Sequence, residues 1–473
     1  MNVQEGGRGA ARSGLGRAAV AVAVVWCCLV AACTSTTREG SGSAPEVRAW
    51  VTTASGSEKL SDRGPVPFVT GRSGKPDIVV ENGRRYQQFF GVGASITGSS
   101  AVLLDTLPDA VRSRVMRDIF QPGKGIGLSV LRQPVGSNDF STSDFSFAPG
   151  RDEDHVLPLL QEAARLDPSL AVVLSPWSAP AAMKTTGSLV GGSLRPEDAG
   201  AYTDYLVGAA RAYLDAGVPV RGLTVQNEPS FSPASYPGMT LDTEQQRTLL
   251  RDHVAPALRR AGLRLHLWAL DDNFDRWPDA DALLSDPATR QAVYGVAFHC
   301  YRGDVAALRE LRDRHPRVAV SVSECSGGAW SGGFARELRY EARTMLVGAV
   351  RNGAAWLVKW NLALDPRGGP THGGCQDCRG LVTVDPATGT VTPSPTYYAF
   401  GHLGRFVTPG ARVIGATARS GSHLDTVAFR NPDGSHVLVV FNDGGSTRDV
   451  RVGTGDRTFG YRLPAGALAT FTW

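Results

Sequence analysis

Lysine is close to absent from this chain: Lys59, Lys75, Lys124, Lys184 and Lys359 are the only ones among 49 basic residues, and the arginines form no cluster. A formal charge of +4 so dispersed excludes the concentrated basic surface that nucleic-acid binding requires. Long apolar runs are scarce as well. The one continuous stretch, 18–32, falls short of the roughly 20 residues that span a bilayer. Cysteine is sparse, and no second pair accompanies Cys375 and Cys378 to complete the four ligands of a structural zinc site. Internal repeats are missing, and low complexity is confined to one short polar segment near the amino terminus.

What the chain does have is 42% hydrophobic residues, 20% charged residues and nine tryptophans, the composition of a folded globular protein. Its 473 residues exceed a single domain of roughly 100–200 residues, although a barrel of alternating strands and helices takes about 250 as one unit. One barrel and one smaller module are therefore expected. Arg8, Arg12 and Arg17 precede the apolar run 18–32, a charged region followed by an apolar one of the length an export signal has. The run ends Leu29-Val30-Ala31-Ala32-Cys33, which resembles the bacterial lipobox, where the cysteine is lipidated and becomes the mature amino terminus. Cleavage at an ordinary Ala-x-Ala-like site, giving a soluble secreted protein, is the alternative. Residues 1–32 are accordingly read as a lipoprotein signal peptide and 33–45 as a flexible polar linker, with membrane contact through a lipid on Cys33. Losing 1–32 removes three arginines and Glu5, which takes the charge from +4 to +2.

Short strand patterns at 48–53 and 77–81 come before any helix. From Gln88 the pattern becomes strand, loop and helix, with strands expected at 89–95, 127–131, 171–174, 222–226, 265–269, 295–299, 318–323 and 355–359. Helices are expected at 196–216, which opens on Pro-Glu-Asp and stops at Gly217, and from an Asp242 cap with Gln245 three residues on to Gly262. Eight such units predict a (β/α)8 barrel over 88–399, with chemistry at the carboxyl ends of its strands. Beyond residue 400 alternation replaces the helical period, and the Asp433-Gly434 turn lies between apolar runs. The segment 400–473 is read as an antiparallel β-module that the early strands of 46–87 join.

Two glutamates end strands of that barrel. Glu228 stands in Gln226-Asn227-Glu228-Pro229 after the fourth, and Glu324 in Ser323-Glu324-Cys325-Ser326 after the seventh. Cleaving an acetal between sugars needs one carboxyl to protonate the departing oxygen and one carboxylate to meet the oxocarbenium charge. Asn227 is placed to bond the hydroxyl next to the anomeric carbon. A carboxylate at Glu324, after a strand rich in valine, needs donors; Arg132, after the second strand, and Tyr301, after the sixth, are the candidates. The chemistry requires no cofactor and no metal.

The chain resembles glycoside hydrolase family 30, the glucosylceramidase-like retaining β-glycosidases, over 46–473. The matching residues are Phe90-Gly91-Val92-Gly93-Ala94-Ser95, Leu131-Arg132-Gln133-Pro134 running to Asn138-Asp139-Phe140, and Ser175-Pro176-Trp177-Ser178 with Met183-Lys184. The match continues through Gln226-Asn227-Glu228-Pro229, Phe298-His299-Cys300-Tyr301, Ser323-Glu324-Cys325-Ser326 and Trp360-Asn361-Leu362. The resemblance implies a barrel with a β-sandwich built from both chain ends and a double-displacement reaction, with Glu324 as nucleophile and Glu228 as acid/base. It also implies that Asp139, Trp177 and Trp360 line the sugar pocket, with Asn227, His299 and Tyr301 around the reacting centre. Many members carry a tryptophan where this chain has Ala182, which leaves the aglycone open.

The substrate expected is a β-linked glucoside, whether β-1,6-glucan, a glucosylceramide-like lipid or a short glucoside. Xylan or fucoside cleavage, or an inactive carbohydrate-binding lipoprotein, are the rivals. A third rival is a zinc hydrolase built on Cys375, Cys378 and His372. In an exported chain a local Cys375–Cys378 disulfide is the stronger expectation. Cys300 and Cys325 end neighbouring strands, and barrel geometry alone leaves their bonding open.

Overall fold

Eight parallel strands close on one another in chain order in the computed structural model, which describes residues 46–70, 74–152 and 155–473. They are β1 (Gly91–Ser95), β2 (Val130–Val135), β3 (Ala171–Pro176), β4 (Val220–Thr224), β5 (His266–Asn273), β6 (Gly295–His299), β7 (Ala319–Glu324) and β8 (Ala354–Lys359). The expected signal peptide, Cys33 and the linker lie outside the described residues.

Two strands run four residues further than expected at their carboxyl ends, for the same reason. β2 begins three residues late, because Gly127 takes a left-handed φ of 69° with its backbone against Gly404, and it runs on through Arg132, Gln133 and Pro134. β5 continues past Ala269 through Leu270, Asp271, Asp272 and Asn273, all buried. Charge and proline read as loop in a sequence, yet here they sit inside the carboxyl half of the barrel, so Arg132 lies within β2 and not after it. Helix Ala199–Asp215 is preceded by a 3-10 turn at Pro196–Asp198. Asp242 caps the next helix reciprocally with Gln245, and its middle widens into a π turn at Leu249–Val254 before Pro256, which has no N–H to give the preceding turn.

The barrel interior is divided. Val130, Val173, Trp268, Ala297, Trp356 and Val358 fill the amino end with apolar side chains. Toward the carboxyl end Arg132, Ser175, Thr224, Asp271, His299 and Ser323, from β2 to β7, form one buried polar layer. That layer carries the site.

The second module is a ten-stranded sheet folded over a core that includes Val47, Ile78, Leu438, Phe459 and Phe471. Val47–Thr52 pairs with Leu468–Thr472, and Ile78–Phe89 pairs antiparallel with Ala411–Ala418 and parallel with Arg448–Thr454. Both ends of the folded chain therefore enter one sheet. Helix Pro395–Gly404 seats it against the barrel: His402, fully buried, bonds Thr52 Oγ1 at 2.9 Å and Thr470 Oγ1 at 2.8 Å, and burial lowers its pKa to about 3, so it is neutral.

Candidate active site

Glu324 is the last residue of β7, and two donors hold its side chain. Arg132 Nη1 donates to Oε2 at 2.5 Å, and the Tyr301 hydroxyl donates to Oε1 at 2.8 Å. Burial raises the pKa of this carboxyl, while His299 and Arg132 pull it down and Glu228 adds to the rise. Glu228 lies beyond β4 with a left-handed φ of 42°, its N–H donating to the Asp271 carbonyl at 2.9 Å. That bond fixes an uncommon backbone conformation for a side chain with a Cβ.

His299, at the end of β6, joins the two. Its Nδ1 is 3.0 Å from Glu228 Oε1 and 3.9 Å from Glu324 Oε1, and its Nε2 is 3.2 Å from Asp271 Oδ1. Burial opposes charge on the imidazole, but Glu324, Asp271 and Glu228 outweigh it and lift its pKa to about 10. The ring is therefore an imidazolium that donates from both nitrogens. Glu228, His299 and Glu324 offer atoms within 4.8 Å of one another, a spacing a metal could bridge if it displaced the proton from His299.

Asp271 is the residue that sequence reasoning missed. Its Oδ2 accepts from Arg132 Nη2 at 2.9 Å, Ser175 at 2.7 Å and Thr224 at 2.8 Å, and its Oδ1 from Ser323 at 2.6 Å as well as His299. Burial alone would raise its pKa; Arg132 and His299 reverse this and hold it far below the usual carboxylate range. The available signal was Asp271-Asp272-Asn273 at the end of a fifth barrel strand, where acidic residues are placed by the fold to act. Tyr236 was missed too. It packs on the Trp177–Trp360 cluster, and burial, with the charges of Asp139, Glu228 and Glu324, raises its phenol pKa. No periodic pattern marks a loop tyrosine.

The other expected residues converge on the same place. Asn227 Oδ1 accepts from Arg132 Nη2 at 2.7 Å, so its amide nitrogen points elsewhere. Asp139 accepts from the Trp360 indole while its Oδ1 has no hydrogen-bond partner among the described residues; burial, then the Glu324 charge, raises its pKa well above the usual range. Trp177 and Trp360 are each 2% exposed and stack on one another with centroids 4.9 Å apart, and Arg132 lies 4.7 Å over the Trp177 ring. Each ring thus turns one face to the other. Ala182 is exposed at the rim. Cys300 bonds Cys325, and Cys375 bonds Cys378 in the loop after β8, whose His372 is committed to Asp144 at 2.8 Å.

Residues 89–407 match the glycosyl hydrolase family 30 TIM-barrel domain, and 410–471 the family 30 beta sandwich domain. The chain is 31% identical over 433 residues to an endo-1,6-beta-D-glucanase of Neurospora crassa, covering 84% of this chain and 89% of that one. It is 27% identical to the lysosomal acid glucosylceramidase of Mus musculus, over 84% and 83% of the two chains. The solved structure of the endo-beta1,6-glucanase BT3312 superposes with a TM-score of 0.85 at 28% identity, covering 91% of this chain and all of that one. With a barrel model and a sandwich model both matched in order, and two glutamates facing one another at the mouth of the barrel, the chain belongs to glycosyl hydrolase family 30.

Proposed function

We propose that this enzyme hydrolyses β-glucosidic bonds with retention of configuration, and that β-1,6-glucan is its substrate. One observation carries the mechanism: carboxyl oxygens of Glu228 and Glu324 lie within 4.8 Å of each other. Retaining enzymes hold the pair at about 5–5.5 Å, whereas inverting ones need about 6.5–9.5 Å to admit a water between them.

The roles follow from the partners. Glu324, oriented by Arg132 and Tyr301, attacks the anomeric carbon as the glycosidic C–O bond breaks, forming a glycosyl ester. Glu228, with 17% of its side chain exposed, gives its proton to the departing oxygen. Because His299 donates to Glu228 Oε1, the transferable proton belongs on Oε2. Water then attacks the anomeric carbon from the face the leaving group vacated, Glu228 takes its proton, and the bond from that carbon to the Glu324 oxygen breaks, which regenerates the carboxylate and releases a β-configured sugar. Asp139 Oδ1 and the Asn227 amide are the free polar groups for sugar hydroxyls. One nucleophilic carboxylate and one acid/base carboxyl carry both displacements without a cofactor.

The β-1,6-glucan preference rests on the relatives named as endo-1,6-glucanases, at 31% and 28% identity; glucosylceramide is the second reading, favoured by the 27% likeness to a glucosylceramidase. We place the enzyme outside the cytoplasm, tethered through a lipid on Cys33. The two disulfides suit an oxidising compartment. Proton NMR of the first product from β-1,6-glucan tests the reading: a β anomer appears first if it holds, and an α anomer, or no turnover, overturns it.

A further inference from the structure

Beyond the nucleophile the chain runs Cys325-Ser326-Gly327-Gly328-Ala329-Trp330, and Trp330 at 54% is the most exposed large hydrophobic side chain among the described residues. Its setting is built. Gly327–Gly328 pairs antiparallel with Cys378–Arg379, and Ala329 N donates to the Asp377 carbonyl at 2.9 Å. The indole folds back over Gly328, where a Cβ would overlap the ring. One face thus rests on glycine backbone, and the exposure belongs to the other. Ala329, the residue before it, lines a groove of about 680 Å³ together with Arg367, Gln376, Asp377, Thr383 and Thr392.

The groove offers hydroxyls, an amide, a carboxylate and a guanidinium, and the flat apolar indole follows its Ala329 wall by one residue; together these have the chemistry of a pyranose site, in which C–H groups lie on a ring and hydroxyls bond around it. The ribbon that carries it is tied to the catalytic centre twice. Ser326 Oγ is 3.0 Å from the Tyr301 hydroxyl, itself bonded to Glu324, and Cys378 packs in the Trp177–Trp360 cluster. We propose that Trp330 and this groove form an outlying carbohydrate subsite that takes sugar units of a β-linked glucan beyond the bond being cut. The proposal rests on the glucanase reading and makes the enzyme dependent on chain length.

The test compares Trp330→Ala with wild type on an aryl β-glucoside, which occupies little beyond the catalytic centre, and on β-1,6-glucan. KM for the glucan is expected to rise about tenfold, the upper end of what one aromatic contact supplies, with the aryl glucoside unchanged and Trp330→Tyr restoring most of the loss. In a Glu324→Gln background the same substitution should weaken glucan binding to the same degree. An equal loss on both substrates, or no loss on glucan, overturns the subsite. Failure of the glucan reading is separate, since wild type would then leave β-1,6-glucan intact. If it instead cleaves another polymer, the length dependence of Trp330→Ala on that polymer decides, and if only glucosylceramide is cleaved the subsite falls as well.

Discussion

Asp271→Asn is a near-isosteric change whose consequence can be worked out atom by atom. The carboxylate accepts from Arg132 and two hydroxyls on one oxygen, and from Ser323 and His299 on the other. Serine and threonine hydroxyls can rotate to accept a hydrogen bond, but a guanidinium cannot. The new amide must therefore turn its oxygen to Arg132 and its NH2 group to His299, whose Nε2 then has to accept and lose its proton. The size of the effect follows from the imidazole's pKa. A pKa of about 10 in place of 6.5 is a preference of roughly 5 kcal/mol for the charged form, at about 1.4 kcal/mol per pH unit. A single charge at 3.2 Å contributes about 5 kcal/mol at an effective dielectric of about 20, so removing it, with Glu324 and Glu228 still raising the imidazole and burial still lowering it, brings His299 down toward its ordinary value. In wild type, stability from this charge is complete below pH 6.5 and lost as pH rises through 10; in the variant that window narrows from its upper end. Histidine-labelled NMR, with His299 assigned by its loss in His299→Gln, should show no titration up to pH 9 in wild type and a midpoint near neutrality in the variant. Urea unfolding at pH 6 should show the variant about 3–5 kcal/mol less stable, the cost of taking a charged partner from the buried guanidinium of Arg132. A wild-type imidazole that titrates near 6.5, or a variant whose imidazole stays charged at pH 9, would refute the network as described.

Glu324→Ala should lose essentially all hydrolysis and recover with azide as an α-glycosyl azide, identified by NMR of the product; a β-azide would mean that the two glutamates have exchanged roles. Glu228→Ala should lose about 10²–10⁴-fold on substrates with poor leaving groups and least on those that depart unprotonated, so a uniform loss across a leaving-group series counts against the acid role. Cys300→Ser opens a bridge between residues 25 apart and should cost about 3 kcal/mol in denaturant unfolding; no change in midpoint would show that the bridge carries no stability.

The barrel was legible because the eight strands repeat with helices between them, and most boundaries shifted by only one or two residues. Boundaries failed where function overrides local preference. Arg132 and Asp271 each lie in a strand that propensity would have ended earlier, because buried partners from other strands pay their desolvation. Glu228 and Glu324 could be found from strand-end position and motif. Asp271 could not be ranked above any other acid without knowing that six strands point polar side chains into one layer. The stacking of Trp177 on Trp360 was likewise invisible, since residues 183 positions apart carry no sign of which face each presents. The Cys300–Cys325 bond, open in the sequence, was settled by register, since His299 pairs with Glu324 and so sets the two cysteines side by side.

The sheet woven from both chain ends has a kinetic consequence. Val47–Thr52 is bordered by Ser61–Val66 on one side and on the other by Leu468–Thr472, a partner that follows 416 residues later. At about 5–20 residues per second a nascent chain leaves that edge without its neighbour for roughly 20–80 s. During that interval the open edge is a template for strands of other chains, so any truncation that removes the last strand should turn a transient hazard of synthesis into a permanent route to aggregation.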